Sequence, residues 1–394
     1  MVRQDVDVAV IGAGPVGGML ALALAAPGRR VLLVDRADLP PMEDPAFDGR
    51  GYAIAAGCRP LMELAGVWDA LPFAPCPILD IDVTDGQVGR RPSALKLHFD
   101  HQAVGDAFGW IIEARSIRVA INKGLHRAER VVLRAPALAR VARDADGADV
   151  QVGDEVFRAK LVVAAEGRHS PLRAQAGIRV TKLPYDQSAV IFALAHEKPH
   201  NGVALEHFLP GGPFAVLPMT GTAEHPNLSA VVFTERDALA QRLYVMEDAA
   251  FMREVESRLN GRLGAVRQVG RRWTHRLEAM YAHRYFAERL VLVGDAAHGV
   301  HPIAGQGLNL GLQDVAALVE ILSDAEDVGA ADVLARYQAA RRPVNMAMLL
   351  GMDTLDRLFS TNFAPVRLAR DLGLAMVDRM PRLKRRFMLT AMGR

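Results

Sequence analysis

Apolar positions fall into two kinds of run along this chain, and glycines punctuate them. Val6–Ile11 reads "VDVAVI", a β-branched stretch without a regular polar face, which predicts a strand buried on both sides. "GMLALALAA" (18–26) follows as a predicted helix, stopped by Pro27 and Gly28. A second buried strand, "RRVLLVD", ends on Asp35. Apolar runs ending in glycine turns recur at "LVVAAEGRHSPLR" (161–173) and "RLVLVGD" (289–295), and a helical apolar pattern begins near Gly307. Between about 181 and 270 the pattern changes. "SAVIFALAHE", "GVALEHFL", "PFAVLPM" and "NLSAVVFTE" are short strand-like runs separated by Gly, Pro and Asn, which predict an antiparallel sheet.

The turns carry the candidate chemistry. "GAGPVG" places Gly12, Gly14 and Gly17 at the G-x-G-x-x-G positions, with Pro15 among them, a strand before and a helix after. Gly12 permits the tight turn, Gly14 admits a pyrophosphate to the backbone, and Gly17 lets helix and strand pack closely. The helix N-terminus supplies N–H donors and positive potential. Asp35, followed by Arg36, is placed to accept from ribose hydroxyls. By itself this motif leaves NAD, NADP and FAD open. In "GDAAHGVHPIAGQGLNLGLQDV", Asp295 follows Gly294 at a strand end. There it can meet a sugar hydroxyl or cap a helix. The glycines that precede the helix, each costing a helix about 1 kcal/mol relative to alanine, imply that something large and polar approaches the backbone.

Composition narrows the class. With 394 residues, 51% of them hydrophobic, the chain can bury a sizeable core and suggests two domains. A net charge of +2 gives no global basic field, so nucleic acid is not expected as a partner. The two cysteines, Cys58 and Cys76, suit a reducing compartment. No signal-peptide pattern and no apolar run of spanning length is apparent, so a cytoplasmic location is expected. His298 and His301 are three apart but lack a third ligand of matching pattern nearby, so no metal is expected.

The order of the three turns, and above all the segment after Gly294, resembles the group A, single-component FAD-dependent aromatic hydroxylases. The resemblance covers most of the chain. It implies an α/β fold: a discontinuous FAD-binding Rossmann-like (GR2-type) domain, an antiparallel-sheet substrate domain and a C-terminal helical segment. The corresponding boundaries are 1–75, 105–180 and 271–340 for the FAD domain, 76–104 and 181–270 for the substrate domain, and 341–394 for the C-terminal segment. Carried over residue by residue, Asp295 would bind the ribityl chain. Pro302, Gly305, Gln306, Gly307, Leu308 and Asn309 would lie against the isoalloxazine ring. Arg50 and Arg115 resemble two FAD-facing arginines. Glu166-Gly167 stands where the family usually has Asp-Gly, a turn linked to the pyrophosphate side and to the nicotinamide cofactor. Arg168 and Arg173 complete that segment. Phe208, Phe214 and Pro218 match the strand pair at the substrate pocket, where plain sheet core is an equally good reading.

The C-terminal stretch, with "RLFS", "VRLARDLGL" and the terminal "AMG", resembles the tail of the ubiquinone-biosynthesis hydroxylases within this group. That implies an FAD-dependent monooxygenase acting with O2 on a polyprenylated phenol or quinol through a C4a-hydroperoxyflavin. NADPH or NADH would be a transient reductant. Pro302 and the backbone at Gly305, Gln306 and Gly307 are the catalytic candidates. The alternatives are a hydroxylase of a small soluble phenol and an FAD-bound, non-catalytic scaffold of a biosynthetic complex. Leu, Met and Phe mixed with Lys384, Arg385 and Arg386 in the tail fit three uses. These are peripheral contact with the inner membrane, a cover over the fold, and a homo-oligomer contact. Other ubiquinone-biosynthesis enzymes are further partners in this reading.

Overall fold

The computed structural model describes residues 3–39, 47–90, 93, 96–300, 305–360, 365, 370, 372–373 and 376–394. Pro302 and His301 therefore lie outside the described residues.

The first sheet has a parallel centre. Its strands run in the order Leu290–Leu292, Glu155–Ala164, Arg3–Ile11, Val31–Val34 and Val131–Arg134. Phe286–Ala287 adds an antiparallel edge, and Ala139–Asp144 with Gly147–Val152 forms a hairpin on Glu155–Ala164. Val8, Val10, Leu32, Val162 and Val291 have no exposed surface, as expected of parallel strands covered on both faces. The helix Pro15–Ala25 packs against both Ala114–Arg127 and Gln306–Ser323. Its buried Met19, Leu20, Leu22 and Leu24 join the strands in one core.

The second sheet runs His298–Gly299, Val266–Ala282, Val180–His196, Leu228–Arg236, Gly212–Met219, Val203–Leu209, Asp80–Asp85 and Leu97–Asp100. All its pairings are antiparallel except that of Val203–Leu209 with Asp80–Asp85. The run "SAVIFALAHE", expected to be a short strand, lies but for its last residue in the 17-residue strand Val180–His196. That strand pairs through two register shifts with a second 17-residue strand, Val266–Ala282, which was not among the expected runs. Two helices, Asp237–Val245 and Asp248–Leu259, were not expected in this region. They cover one face, with Phe251 and Val255 packed on Phe192 and Phe233. A small third sheet, Gly51–Ala55, Gly109–Glu113 and Cys76–Ile78, lies against the other face: Ile111 and Ile78 cluster with Ala204 and Ala230.

Candidate functional site

The site is built where three strand ends of the first sheet open into turns. Arg3–Ile11 leads into Gly12, whose φ of +109° suits glycine; a Cβ there would lie 2.4 Å from the Ala165 carbonyl oxygen. Gly17 packs on this same turn, facing the Gly12 carbonyl. Gly14 has nothing within 4 Å of where its Cβ would be. It precedes the helix Pro15–Ala25, whose N-terminus no side chain caps. An uncapped helix end facing open space is suited to an anion. Asp35 braces the turn from the next strand: its Oδ2 accepts from Ala13 N at 2.6 Å and its Oδ1 from Ala37 N at 2.8 Å. Arg36 is exposed beside it.

Arginines around this turn are placed differently from one another. Arg50 forms an ion pair with Asp48 at 2.6 Å, its guanidinium 4.2 Å from the Trp273 ring centre. Arg115 donates to Glu113 at 2.6 Å and lies over Phe73 at 4.2 Å. Arg118, one turn further along Ala114–Arg127, reaches the glycine turn itself, donating to Ala13 O at 3.0 Å. Burial lowers its pKa, with Tyr52 and then Asp35 opposing. Sequence reading named Arg115 and missed Arg118, although the spacing puts both near one helix face.

The midway and late turns are locked together. Glu166 turns its carboxyl inward: Oε2 accepts from Ser170 Oγ at 2.5 Å and Leu172 N at 3.1 Å. Burial raises its pKa, and these two hydrogen bonds oppose the shift. Gly167 follows at φ +81°. Buried Arg173 donates to Ala296 O at 2.9 Å and to Arg168 O at 2.7 Å. Arg168 donates to Asp295 Oδ2 at 3.0 Å, and both side chains stay partly exposed. Asp295 thus meets a cation rather than capping a helix, and it keeps acceptor capacity.

Under this turn lies a buried hub that sequence reading also missed. Asp314 has no exposed surface. It accepts from Gly294 N at 3.0 Å, Arg341 Nε at 2.8 Å and Asn345 Nδ2 at 3.0 Å, with His298 Nε2 at 2.5 Å. Burial alone would raise its pKa, but His298 and Arg341 hold it below the usual carboxylate range. His298 is thereby engaged by a carboxylate. A charged residue on the apolar stripe of "LNLGLQDVAAL" was the available signal.

The helix Gln306–Ser323 starts at Gly305, at φ +63°, again without a side-chain cap. A Cβ on Gly305 would come within 2.9 Å of Ala53 Cβ, so the loop closes tightly on the strand Gly51–Ala55. Asn309 clamps the two: Oδ1 accepts from Ala55 N and Nδ2 donates to Ala53 O, both at 2.8 Å. Buried Gln306 donates to Ala391 O at 3.5 Å, and Leu308 is half-buried. Gly307 has open space where a Cβ would stand.

These features fit FAD: two uncapped helix ends, two glycine positions open to a ligand, and carboxylates of Asp35 and Asp295 beside them. Glycine-turn strands under an antiparallel roof are the architecture of a dinucleotide-binding flavoprotein. The chain belongs to the FAD binding domain family, whose pattern matches residues 5–351, and is an FAD-dependent monooxygenase. It is 46% identical to ubiquinone hydroxylase UbiL of Rhodospirillum rubrum over 98% of this chain and 89% of that one. It is 34% identical to 3-demethoxyubiquinol 3-hydroxylase of Escherichia coli over the full length of both. Among solved structures, p-nitrophenol 4-monooxygenase PnpA from Pseudomonas putida superposes with a TM-score of 0.76 at 19% identity, covering 99% of this chain and 98% of that one. That likeness speaks for the fold alone.

Proposed function

We propose that this chain hydroxylates the aromatic ring of a polyprenylated phenol or quinol in ubiquinone biosynthesis, using O2, FAD and NADPH or NADH. The observation that carries this reading is end-to-end similarity to ubiquinone hydroxylases, on a chain whose site offers what FAD needs. When bound, FAD supplies the activation of O2 and the transfer of one oxygen atom.

The chain's own residues bind, orient and exclude water. Gly12, Gly14, Pro15 and Gly17, with Asp35, Arg36 and Arg118, hold the adenosine and pyrophosphate end. Arg50, Arg115 and the Glu166-Gly167 turn flank it, and Gly294 and Asp295 take the ribityl chain. Gly305, Gln306, Gly307, Leu308 and Asn309 face the ring; Pro302, assigned to the same role by resemblance, lies outside the described residues. The N-terminus of Gln306–Ser323 favours negative charge at the ring edge it meets. The domain division carried into this reading is the sequence expectation, 1–75, 105–180 and 271–340 for FAD, 76–104 and 181–270 for the substrate, and 341–394 as the C-terminal segment, with the strand Val266–Ala282 of the second sheet running across the boundary at 270.

No helix among the described residues is long and apolar enough to cross a membrane. Peripheral contact is the reading supported by exposed Leu372, Met376, Met380 and Phe387 near exposed Arg385 and Arg386.

The test is extraction of quinones and precursors from cells lacking this protein, read by mass spectrometry. The expected result is a prenylphenol one oxygen short of product, converted to quinone again by wild type but not by Asp295→Ala. Normal quinone levels, with no redundant enzyme present, would overturn the reading in favour of a small soluble phenol. Purified Asp295→Ala should be mostly apoprotein; normal FAD occupancy would sink the ribityl assignment.

A further inference from the structure

The two faces of the second sheet meet different company. Along Val203–Leu209, alternation sends Leu205, His207 and Leu209 to the face covered by the two helices, where Leu205 and Leu209 cluster with Phe233 and Phe251. Ala204, Glu206 and Phe208 take the opposite face. There Ala204 clusters with Ile111, Ala230 and Met388, and Phe208 stacks on Phe359 with ring centroids 4.0 Å apart. The strand Gly51–Ala55 crosses this second face. A Cβ on Gly51 would lie 3.8 Å from Ala230 Cβ, and further along, Ala53 abuts Gly305. The face carrying Glu206 therefore continues to the open helix end assigned to the ring.

Glu206 is only 8% exposed. Its Oε1 is sealed from solvent and has no hydrogen-bond partner among the described residues. Its register neighbours, Val83 and Ala215, are apolar. The charged groups near it are already engaged. On its own face Asp85 and Arg370 pair at 2.7 Å. On the other face His207 lies 2.7 Å from Thr84 Oγ1, and Arg258 pairs with Glu254 at 2.8 Å and Glu235 at 3.5 Å. Burying a carboxyl oxygen without a partner is costly, and no hydrogen bond from the described residues offsets it. Burial alone pushes the pKa of Glu206 up to about 7.

We propose that Glu206 is the acceptor for the substrate's phenolic hydroxyl, taking its hydrogen bond at Oε1 and then its proton as the ring is oxidised. The proposal rests on the hydroxylase reading above. In this step the substrate O–H bond breaks and a Glu206 O–H bond forms. The electron pair stays on the ring oxygen, enriching the ortho and para carbons, and neither group changes oxidation state. The proton returns when the product hydroxyl re-forms. A carboxyl that titrates near neutrality suits this exchange, and the apolar neighbours Val83, Ala204, Phe208 and Ala215 suit the ring.

The test uses FAD-loaded wild type, Glu206→Gln and Glu206→Asp, with ortho-prenylphenol and prenylbenzene as probes. Binding is read from the flavin absorbance and needs no turnover; hydroxylated product is read by mass spectrometry across neutral pH. In wild type, kcat should rise with pH through neutrality. Glu206→Gln should lose that rise and about 10²- to 10⁴-fold in kcat, with a smaller change in KM, while Glu206→Asp keeps the rise. Glu206→Gln should also lose the preference for the phenol over prenylbenzene.

A Gln variant with unchanged rate and pH profile would overturn the proposal and leave the hydroxylase reading standing. If wild type binds the phenol without hydroxylating it, the hydroxylase reading fails. Glu206 is then judged by whether the Gln variant loses the phenol preference. If neither probe perturbs the wild-type flavin, both ideas fall. If the Gln variant does not take up FAD, the wild-type and Asp profiles decide, and the absence of a rise near neutrality overturns the proposal.

Discussion

Asp314 and Glu206 are buried carboxyls that behave in opposite ways, because Asp314 is surrounded by partners while Oε1 of Glu206 has none among the described residues. Asp314 is met by His298, Arg341, Asn345 and the Gly294 amide. Its depressed pKa contributes stability that is present above the ordinary carboxylate pKa and lost as pH falls through the folded value. Asp314→Ala would leave buried Arg341 without its charge partner. It should cost about 3–5 kcal/mol in chemical denaturation. Asp314→Asn should differ less from wild type as the solution is made acidic. Glu206 has the reverse sign. Its carboxyl is raised from 4.5 to about 7, so the folded state binds more protons in that window and stability falls as pH rises through it. Glu206→Gln removes this slope. From pH 4 to pH 8 the FAD-free variant should gain about 3 kcal/mol on wild type. Parallel pH–stability curves would show that Glu206 does not titrate in this range.

At the scale of elements, the helix Gln306–Ser323 is positioned at both ends of its first two turns. Gly305 closes on Ala53, Asn309 holds both Ala53 and Ala55, and Asp314 ties the helix to the turn at Gly294. Its free N–H groups are thereby held in place on a fixed helix end rather than on a mobile loop, as the proposed ring site requires. Asn309→Ala removes two buried backbone partners. The expected loss is about 1–3 kcal/mol, measured by denaturation of the apoprotein, and FAD occupancy after purification should fall with it. Retained occupancy with unchanged stability would show that the clamp does not hold the helix end.

For the whole molecule, the C-terminal residues are part of the core. Met388 and Met392 are buried with Ala56, Phe108 and Ile111. Gly57 N donates to Met392 O at 2.7 Å, and Arg394 pairs with Asp106 at 2.7 Å. Arg370 reaches Asp85 inside the second sheet. Cutting the chain after residue 342 would therefore divide the long helix Ala331–Ser360 and destabilise the fold, confounding any membrane test. Charge reversal is the cleaner experiment. Arg385→Glu with Arg386→Glu, both exposed, should leave the thermal midpoint within a few degrees. It should lower flotation with vesicles containing phosphatidylglycerol. Equal flotation would leave the tail as cover for the fold.

Sequence alone determined the three strand-ending turns, the class of cofactor they suit and the antiparallel character of the middle region. Glycine placement and residue periodicity are local properties, readable within a few positions of each other. It did not determine the length of Val180–His196, because a strand's length depends on partners more than 30 residues away. Nor did it reveal that Arg118, rather than the Arg115 it named, donates to the glycine turn, since helical spacing defines a face but not what the face meets. Asp314 draws its partners from positions 294, 298, 341 and 345, and Glu206 is marked by the partner it lacks. Both facts exist only once distant strands and helices close around a side chain and remove it from water, so tertiary structure alone decided which carboxyl is satisfied and which keeps an oxygen unpaired among the described residues.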